Sequence, residues 1–256
     1  MTASLVLFHD ATGLLEAVTP LAARIEGVRV VGVERRMAGS VRELPDLVER
    51  YLARLERAGL RAPWRFGGFS FGGTLAYEAA RIVAGRKQEV ALLAILDAEP
   101  PQNDRWKAQL EESVGSLGRA LGVQSAILAD ILAALEEGPL DFETLTLLLP
   151  RSVANAIPLH RRAYSTECTK AIKNILECVD MLSRYSPRTK AQPSQTLSLR
   201  SKQVESPTHA AWRELVQGSY EEIEAPGDHH SVLRGEGLDV IAARLNRATR
   251  HIQRAA

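Results

Sequence analysis

The chain has 256 residues, of which 45% are hydrophobic and 25% charged, with a net charge of +1; it has enough apolar material to bury a sizeable core, as one large domain or two small ones. The near-zero charge gives no reason to expect a nucleic-acid or membrane-surface partner. Cys168 and Cys178 lack metal-ligand spacing, the N-terminus lacks a basic leader, and no apolar run reaches membrane-spanning length, so a cytoplasmic protein with idle thiols and no metal is expected.

Ser4 to Phe8 is a short apolar run ending in His9-Asp10-Ala11-Thr12-Gly13, which predicts a buried strand and a tight loop. Leu14 to Ile25 has helical spacing, and Val28 to Val33 is the next strand. Ser40 to Ala58 places Val41, Leu44, Leu47, Val48, Tyr51, Leu52 and Leu55 on one helical face. Pro63 to Phe69 leads into a glycine-rich turn and a helix from Thr74 to Val83. Val90 to Leu96 is continuously apolar, as in a strand covered on both faces, and ends at Asp97. From Asn103 to Pro158 the pattern turns helical without strands and rich in Leu and Ala, as expected of an insertion, about residues 101–158, that is either a helical lid or an ordinary packed helical subdomain. Leu159 to Tyr185 reads as a long returning helix and Ser186 to Ser194 as a loop. Then come a strand from Gln195 to Val204, a short helix from Ala210 to Val216, a strand from Tyr220 to Glu224 and a loop from Pro226 to His230. Leu238 to Ile252 is the closing helix. Strands alternating with helices predict an α/β fold, with a mostly parallel sheet and helices on both faces.

Ser70 lies in Gly68-Phe69-Ser70-Phe71-Gly72, a G-x-S-x-G pattern between a strand and a helix. A strand that turns sharply into a helix holds such a serine in a strained conformation with its hydroxyl exposed above the sheet. The glycines are needed where strand and helix backbones pass closely. Serine is a weak nucleophile at its free pKa and needs a neutral histidine to take its proton, with a carboxylate to fix that histidine's tautomer. Parallel sheets place such groups on loops at the carboxyl ends of strands. Asp97 directly ends one strand, with Glu99 and Asp104 as nearby competitors. His229 and His230 follow the last strand. The order Ser, Asp, His is that of α/β hydrolases. His160 and His251 lie on helical patterns beside arginines and read as surface residues, and His9 could only line the site. An oxyanion hole needs two N–H groups, one from Phe71 after the nucleophile and one from the loop His9 to Gly13.

These blocks resemble the thioesterase domains of nonribosomal peptide and polyketide synthases, across essentially the whole chain. GFSFGGTLAYEAAR resembles that family's nucleophile block, AILDAEPP its acid block and APGDHHSVL its histidine block. Trp212, upstream of the last strand, also fits. The resemblance implies one α/β-hydrolase domain over residues 1–256 with a helical lid. It implies Ser70, Asp97 and His229 as the triad, His230 at the family's aromatic position, and Phe71 and Ala11 as oxyanion donors. It also implies an acyl or peptidyl thioester on a carrier protein's phosphopantetheine arm as substrate, released by hydrolysis or cyclisation, with no other cofactor. An editing thioesterase that removes misprimed acyl groups, a small-molecule carboxylesterase and a non-catalytic binding domain of the same fold are the alternatives. Three features depart from the family pattern, one of them the second imidazole of His230 beside the base. The first loop lacks the usual Pro-rich or Gly-Gly run, and Asp10 brings a negative charge close to the expected oxyanion.

Overall fold

The computed structural model describes residues 3–37, 41–101, 208–255 and most of 174–202. The chain divides into two units, Met1–Gln102 with Tyr185–Ala256, and Asn103–Arg184. The first unit is a six-stranded sheet in the order β2-β1-β3-β4-β5-β6, with every neighbouring pair parallel. Its strands are β1 (Ser4–Phe8), β2 (Arg29–Val33), β3 (Trp64–Phe69), β4 (Val90–Leu96), β5 (Pro193–Ser201) and β6 (Ser219–Ala225). Its α-helices are α1 (Thr19–Ala22), α2 (Leu44–Arg57), α3 (Phe71–Gly85), α4 (Thr208–Leu215) and α5 (Gly235–Ala255).

Alternation along the strands divides the apolar side chains between two faces. Leu5 and Leu7 of β1, Leu92, Ala94 and Leu96 of β4, Leu197 and Leu199 of β5 and Ile223 of β6 share one buried cluster with Leu21 of α1 and Leu238, Ile241 and Leu245 of α5. On the other face, Phe8 of β1 meets Tyr51 of α2 and Phe66 of β3, and α3 packs over β3 and β4. Each fully buried leucine in such a layer contributes about 1.5–3 kcal/mol of transfer free energy. β3 and β4 are buried along their whole lengths, and in β4 this is why the strand reads as an unbroken apolar run. From β1 the sheet extends one way to β2 and the other way to β3, so the strand order reverses between β1 and β3. Ligand crevices form at such a reversal, outside the carboxyl ends of the strands.

Among the boundaries that shift, three have a local cause. The helix read over Leu14 to Ile25 is limited to Thr19–Ala22, beginning at a proline in its first turn. Leu15 to Val18 instead form turns, closed by Val18 N–H and Thr19 N–H on the Leu15 carbonyl at 3.0 and 2.9 Å. α2 begins at Leu44 rather than at Ser40, because Pro45 takes a first-turn position where its missing N–H costs nothing and Glu43 before it is extended. β5 starts at Pro193, inside the expected loop; proline is tolerated as the first residue of a strand.

The expected lid at about residues 101–158 lies, beyond Pro101, outside the described residues, as do the first part of the Leu159 to Tyr185 helix, Cys168 and His160. In the second unit, Arg184 pairs with Asp180 one helical turn away at 2.6 Å, and Cys178 is buried and forms no disulfide among the described residues. At Tyr185 the chain re-enters the first unit. There the phenol donates to buried Glu78 of α3 at 2.5 Å, and Arg81 holds both Glu78 oxygens at 2.6 Å. Glu78 is fully buried, so these partners are what make its charge tolerable there.

Candidate active site

β3 passes into α3 through the single residue Ser70, whose φ of 54° and ψ of −126° are unusual for a residue with a side chain. Such strain costs about 1–3 kcal/mol and persists where the surroundings over-determine it. Here Ser70 N–H donates to the Leu96 carbonyl and its own carbonyl accepts from Gly73 N–H, both at 2.9 Å. A Cβ on Gly68 would lie 2.2 Å from Gly72 backbone atoms, and one on Gly72 would lie 2.7 Å from the carbonyl oxygens of Phe8 and His9. The two glycines therefore let the helix start close against β1 and β3. Ser70 is left partly exposed at the strand-order reversal.

Asp97 ends β4, also at positive φ (49°), a region aspartate tolerates better than most residues. Its N–H donates to the Leu199 carbonyl at 2.8 Å, and its Oδ1 accepts from Ser201 N–H at 2.7 Å. The indole of Trp212 in α4 donates to the carbonyl of Ala98 at 2.7 Å and pins the next residue. Oδ2 is 2.7 Å from His229 Nδ1. Burial alone would raise the Asp97 pKa, but the hydrogen bond and charge of His229 and the N–H of Ser201 outweigh it and hold the carboxyl below its ordinary value. An ionised carboxylate only accepts hydrogen bonds, so His229 carries its proton on Nδ1. Nε2 then presents a lone pair to Ser70 Oγ at 3.2 Å. The His229 ring stacks on Phe69 with centroids 4.7 Å apart, and both Asp97 and His229 are nearly shut from solvent.

His229 lies in a tight loop after β6. Asp228 Oδ1 accepts from the N–H groups of His230 and Ser231 and from the Ser231 hydroxyl, at 2.7–3.0 Å. His230 is exposed and meets His229 edge-on at 5.7 Å.

The loop after β1 is similarly tied. Asp10 Oδ1 accepts from Thr12 N–H at 2.8 Å and from the Thr12 hydroxyl at 2.5 Å, an Asx turn. The Asp10 charge is thus committed to its own loop. Burial raises its pKa, against the lowering effect of the Thr12 hydrogen bonds. Buried His9 bonds the Asp10 carbonyl through Nδ1 at 2.6 Å and the Tyr51 hydroxyl through Nε2 at 2.7 Å. Burial pushes its pKa down to about 4, so His9 is neutral near pH 7. Its ring lies 6.0 Å from that of Phe71.

The fold therefore brings Ser70, Asp97 and His229 into one hydrogen-bonded run, although they come from three separate loops. Phe71 is the first residue of α3, so its N–H has no intrahelical acceptor. No hydrogen bond among the described residues uses the Ala11 N–H. Of the nearby carboxylates it is Asp97 that meets His229 Nδ1, while Asp104 and the side chains of His209 and His251 lie outside the described residues. Sequence reasoning missed Ser201, Phe69 and the His9–Tyr51 pair. The Ser201 contact is a backbone one and leaves no trace in residue type. A buried-looking histidine next to a strand end was the available signal for His9.

Geometrically, the site can take a proton from a serine hydroxyl onto an imidazole whose other nitrogen is held by a carboxylate. Among the described residues no group of acidic, histidine or cysteine side chains is suited to hold a metal, and no helix is long and apolar enough to cross a membrane.

A family model described as a thioesterase domain matches residues 3–249. Enterobactin synthase component F of Escherichia coli K12 is 27% identical over 173 residues, which is 63% of this chain and 13% of that protein. Microperfuranone synthase of Emericella nidulans is 26% identical over 257 residues, 91% of this chain and 26% of that protein. The chain thus spans a minor fraction of the length of these relatives. Among solved structures, the NocB thioesterase domain from the nocardicin cluster superposes with a TM-score of 0.66 at 20% identity, covering 97% of this chain and 94% of that one.

Proposed function

The chain belongs to the thioesterase domain family, and from that we propose that it takes an acyl or peptidyl chain from a carrier-held phosphopantetheine thioester onto Ser70 and then releases it. The hydrogen-bonded run from Ser70 Oγ through His229 to Asp97 carries this reading. His229 Nε2 removes the proton as Ser70 Oγ attacks the thioester carbonyl. The tetrahedral oxyanion accepts from the N–H groups of Phe71 and Ala11. His229 returns the proton to the departing thiol, leaving an acyl-serine ester. Water, or a hydroxyl or amine of the acyl chain itself, then attacks with His229 again as base. Asp97 stabilises the imidazolium in both halves without taking its proton. Thioesters suit this site because their carbonyl is more electrophilic than that of an oxygen ester and a thiolate leaves readily.

Asp97→Asn tests the role of the carboxylate. Asparagine tolerates the positive φ and can still accept the Ser201 N–H. It would offer an N–H to His229 and so favour the wrong tautomer. Turnover is expected to fall by about 10⁴-fold in a protein that still folds. The variant also has a pH signature. A carboxyl whose pKa is lowered on folding stabilises the protein above its unfolded pKa, and loses that contribution as pH falls through the folded value. The Tm of wild type should therefore exceed that of the variant near neutrality and converge with it below about pH 4. A constant Tm difference across that range would contradict the assignment.

The substrate class is tested by steady-state comparison of one acyl group presented as a carrier-bound thioester, a free pantetheine thioester and a simple oxygen ester. The carrier-bound thioester is expected to give the highest kcat/KM. Faster cleavage of the oxygen ester, with no advantage from the carrier, would replace this reading with a carboxylesterase.

A further inference from the structure

The loop after β1 holds one peptide unit by its carbonyl and leaves the N–H of that same unit unused. The Asp10 carbonyl accepts from His9 Nδ1–H at 2.6 Å and from Gly13 N–H at 3.0 Å. A trans peptide directs its N–H opposite to its C=O, so fixing the carbonyl fixes the direction of the Ala11 N–H. Hydrogen bonds to the carbonyl also polarise the attached N–H and make it a better donor. No other group among the described residues takes that N–H.

The His9 ring is itself held in one state. A backbone carbonyl can only accept, so the proton sits on Nδ1, and Nε2 must accept the Tyr51 hydroxyl proton at 2.7 Å. Tyr51 belongs to the buried face of α2 and packs against Phe8, which in turn packs against Phe66. The opposite tautomer would set a lone pair against the Asp10 carbonyl and free that peptide to turn. The His9 carbonyl also lies where the elbow glycine Gly72 meets β1, so the loop and the nucleophile turn share a wall.

We infer that His9 and Tyr51 are positioning residues that lock the Asp10–Ala11 peptide with its N–H open to the oxyanion, resting on the reading of Ser70 as the nucleophile. They touch no reacting atom and act through the main chain. This distinguishes His9 from His229, which belongs to the proton path. The Asx turn of Asp10 on Thr12 supports the same peptide from its other side, which gives the unusual acidic residue of this loop a structural role.

The test compares His9→Leu, His9→Asn and Tyr51→Phe. An asparagine amide can place an N–H close to where Nδ1–H stood, whereas leucine cannot. The rate of Ser70 modification by an alkyl fluorophosphonate, followed by intact-protein mass, reads oxyanion stabilisation whatever the natural acyl group is. His9→Leu is expected to slow labelling by about 100-fold, the scale of losing one oxyanion donor. His9→Asn should recover most of that loss, and Tyr51→Phe should lose about tenfold by releasing the tautomer. On any acyl substrate that turns over, kcat should fall in step with labelling while KM stays within about twofold, as for an interaction made in the transition state. Labelling of His9→Leu at the wild-type rate, or equal losses in His9→Asn and His9→Leu, would overturn the inference. If His9→Leu does not fold, wild-type labelling by Tyr51→Phe overturns it just as directly. A wild-type protein that labels but ignores thioesters loses the proposed substrate while the comparison among variants still decides the role of His9. A wild type that does not label at all defeats both.

Discussion

Ser70→Ala is expected to lower thioester turnover by about a million-fold, the scale seen when a serine hydrolase of this arrangement loses its nucleophile. The substitution removes the atom proposed to form the covalent intermediate and leaves the rest of the site in place. Alanine carries the same Cβ as serine, so the φ of 54° is no harder to hold. The backbone ties, Ser70 N–H to the Leu96 carbonyl and Gly73 N–H to the residue 70 carbonyl, need no side chain. The variant should therefore fold and melt close to wild type. Residual catalysis above the solution reaction should persist, because the proposed main-chain donors remain. Turnover by Ser70→Ala within tenfold of wild type would remove the nucleophile from the mechanism.

His229→Ala should match that loss, and the double variant Ser70→Ala/His229→Ala should be no slower than either single one. Residues that act as one unit are strongly non-additive, since a serine without its base is already almost inert. His230→Ala should stay within about threefold of wild type. The two imidazoles are neighbours in sequence but differ in every contact that bears on chemistry. His229 has Ser70 on one nitrogen, Asp97 on the other and Phe69 beneath its ring. His230 is exposed and contributes its main-chain N–H to Asp228. Steady-state kinetics on the three variants decide the ranking. A larger loss in His230→Ala than in His229→Ala would reverse the assignment of the base.

The sheet was legible where burial on both faces writes itself as an unbroken apolar run. β1 and β4 fall on the residues read for them, and β3 starts one residue later. The pattern is less informative where turn chemistry competes with helical spacing. Leu14 to Ile25 carries its apolar residues at helical intervals, and Val18 and Leu21 do reach the core. Yet only four residues, Thr19–Ala22, are helical, because Pro20 suits the first turn of a helix and not its interior. Pro193 misled in the opposite sense. Its missing N–H suggested a loop, but the first position of a strand can do without that donor.

The site divides in the same way. The G-x-S-x-G turn and the strand-terminal Asp97 are local features, and spacing with residue type suffices to nominate them. Which imidazole meets them is a property of three loops converging, and sequence left His229 and His230 open until the resemblance favoured one. The supporting contacts were not legible at all. Tyr51 lies one helix away from His9, and nothing in its helical face marks a hydroxyl aimed at a ring nitrogen. Ser201 acts through its main chain at the end of β5, where any non-proline residue could donate. Asp10 looked like a hazard to an oxyanion, and the Thr12 contacts give it a different task.

Mixing the wild-type protein with a panel of acyl and peptidyl pantetheine thioesters and following intact mass tests the proposed chemistry most directly. An added mass equal to the acyl group, mapping to Ser70 after digestion and absent in Ser70→Ala, is the expected result, with free acid or cyclic product released as it decays. Product release with no adduct under rapid quench, or an adduct on any other residue, would contradict the mechanism.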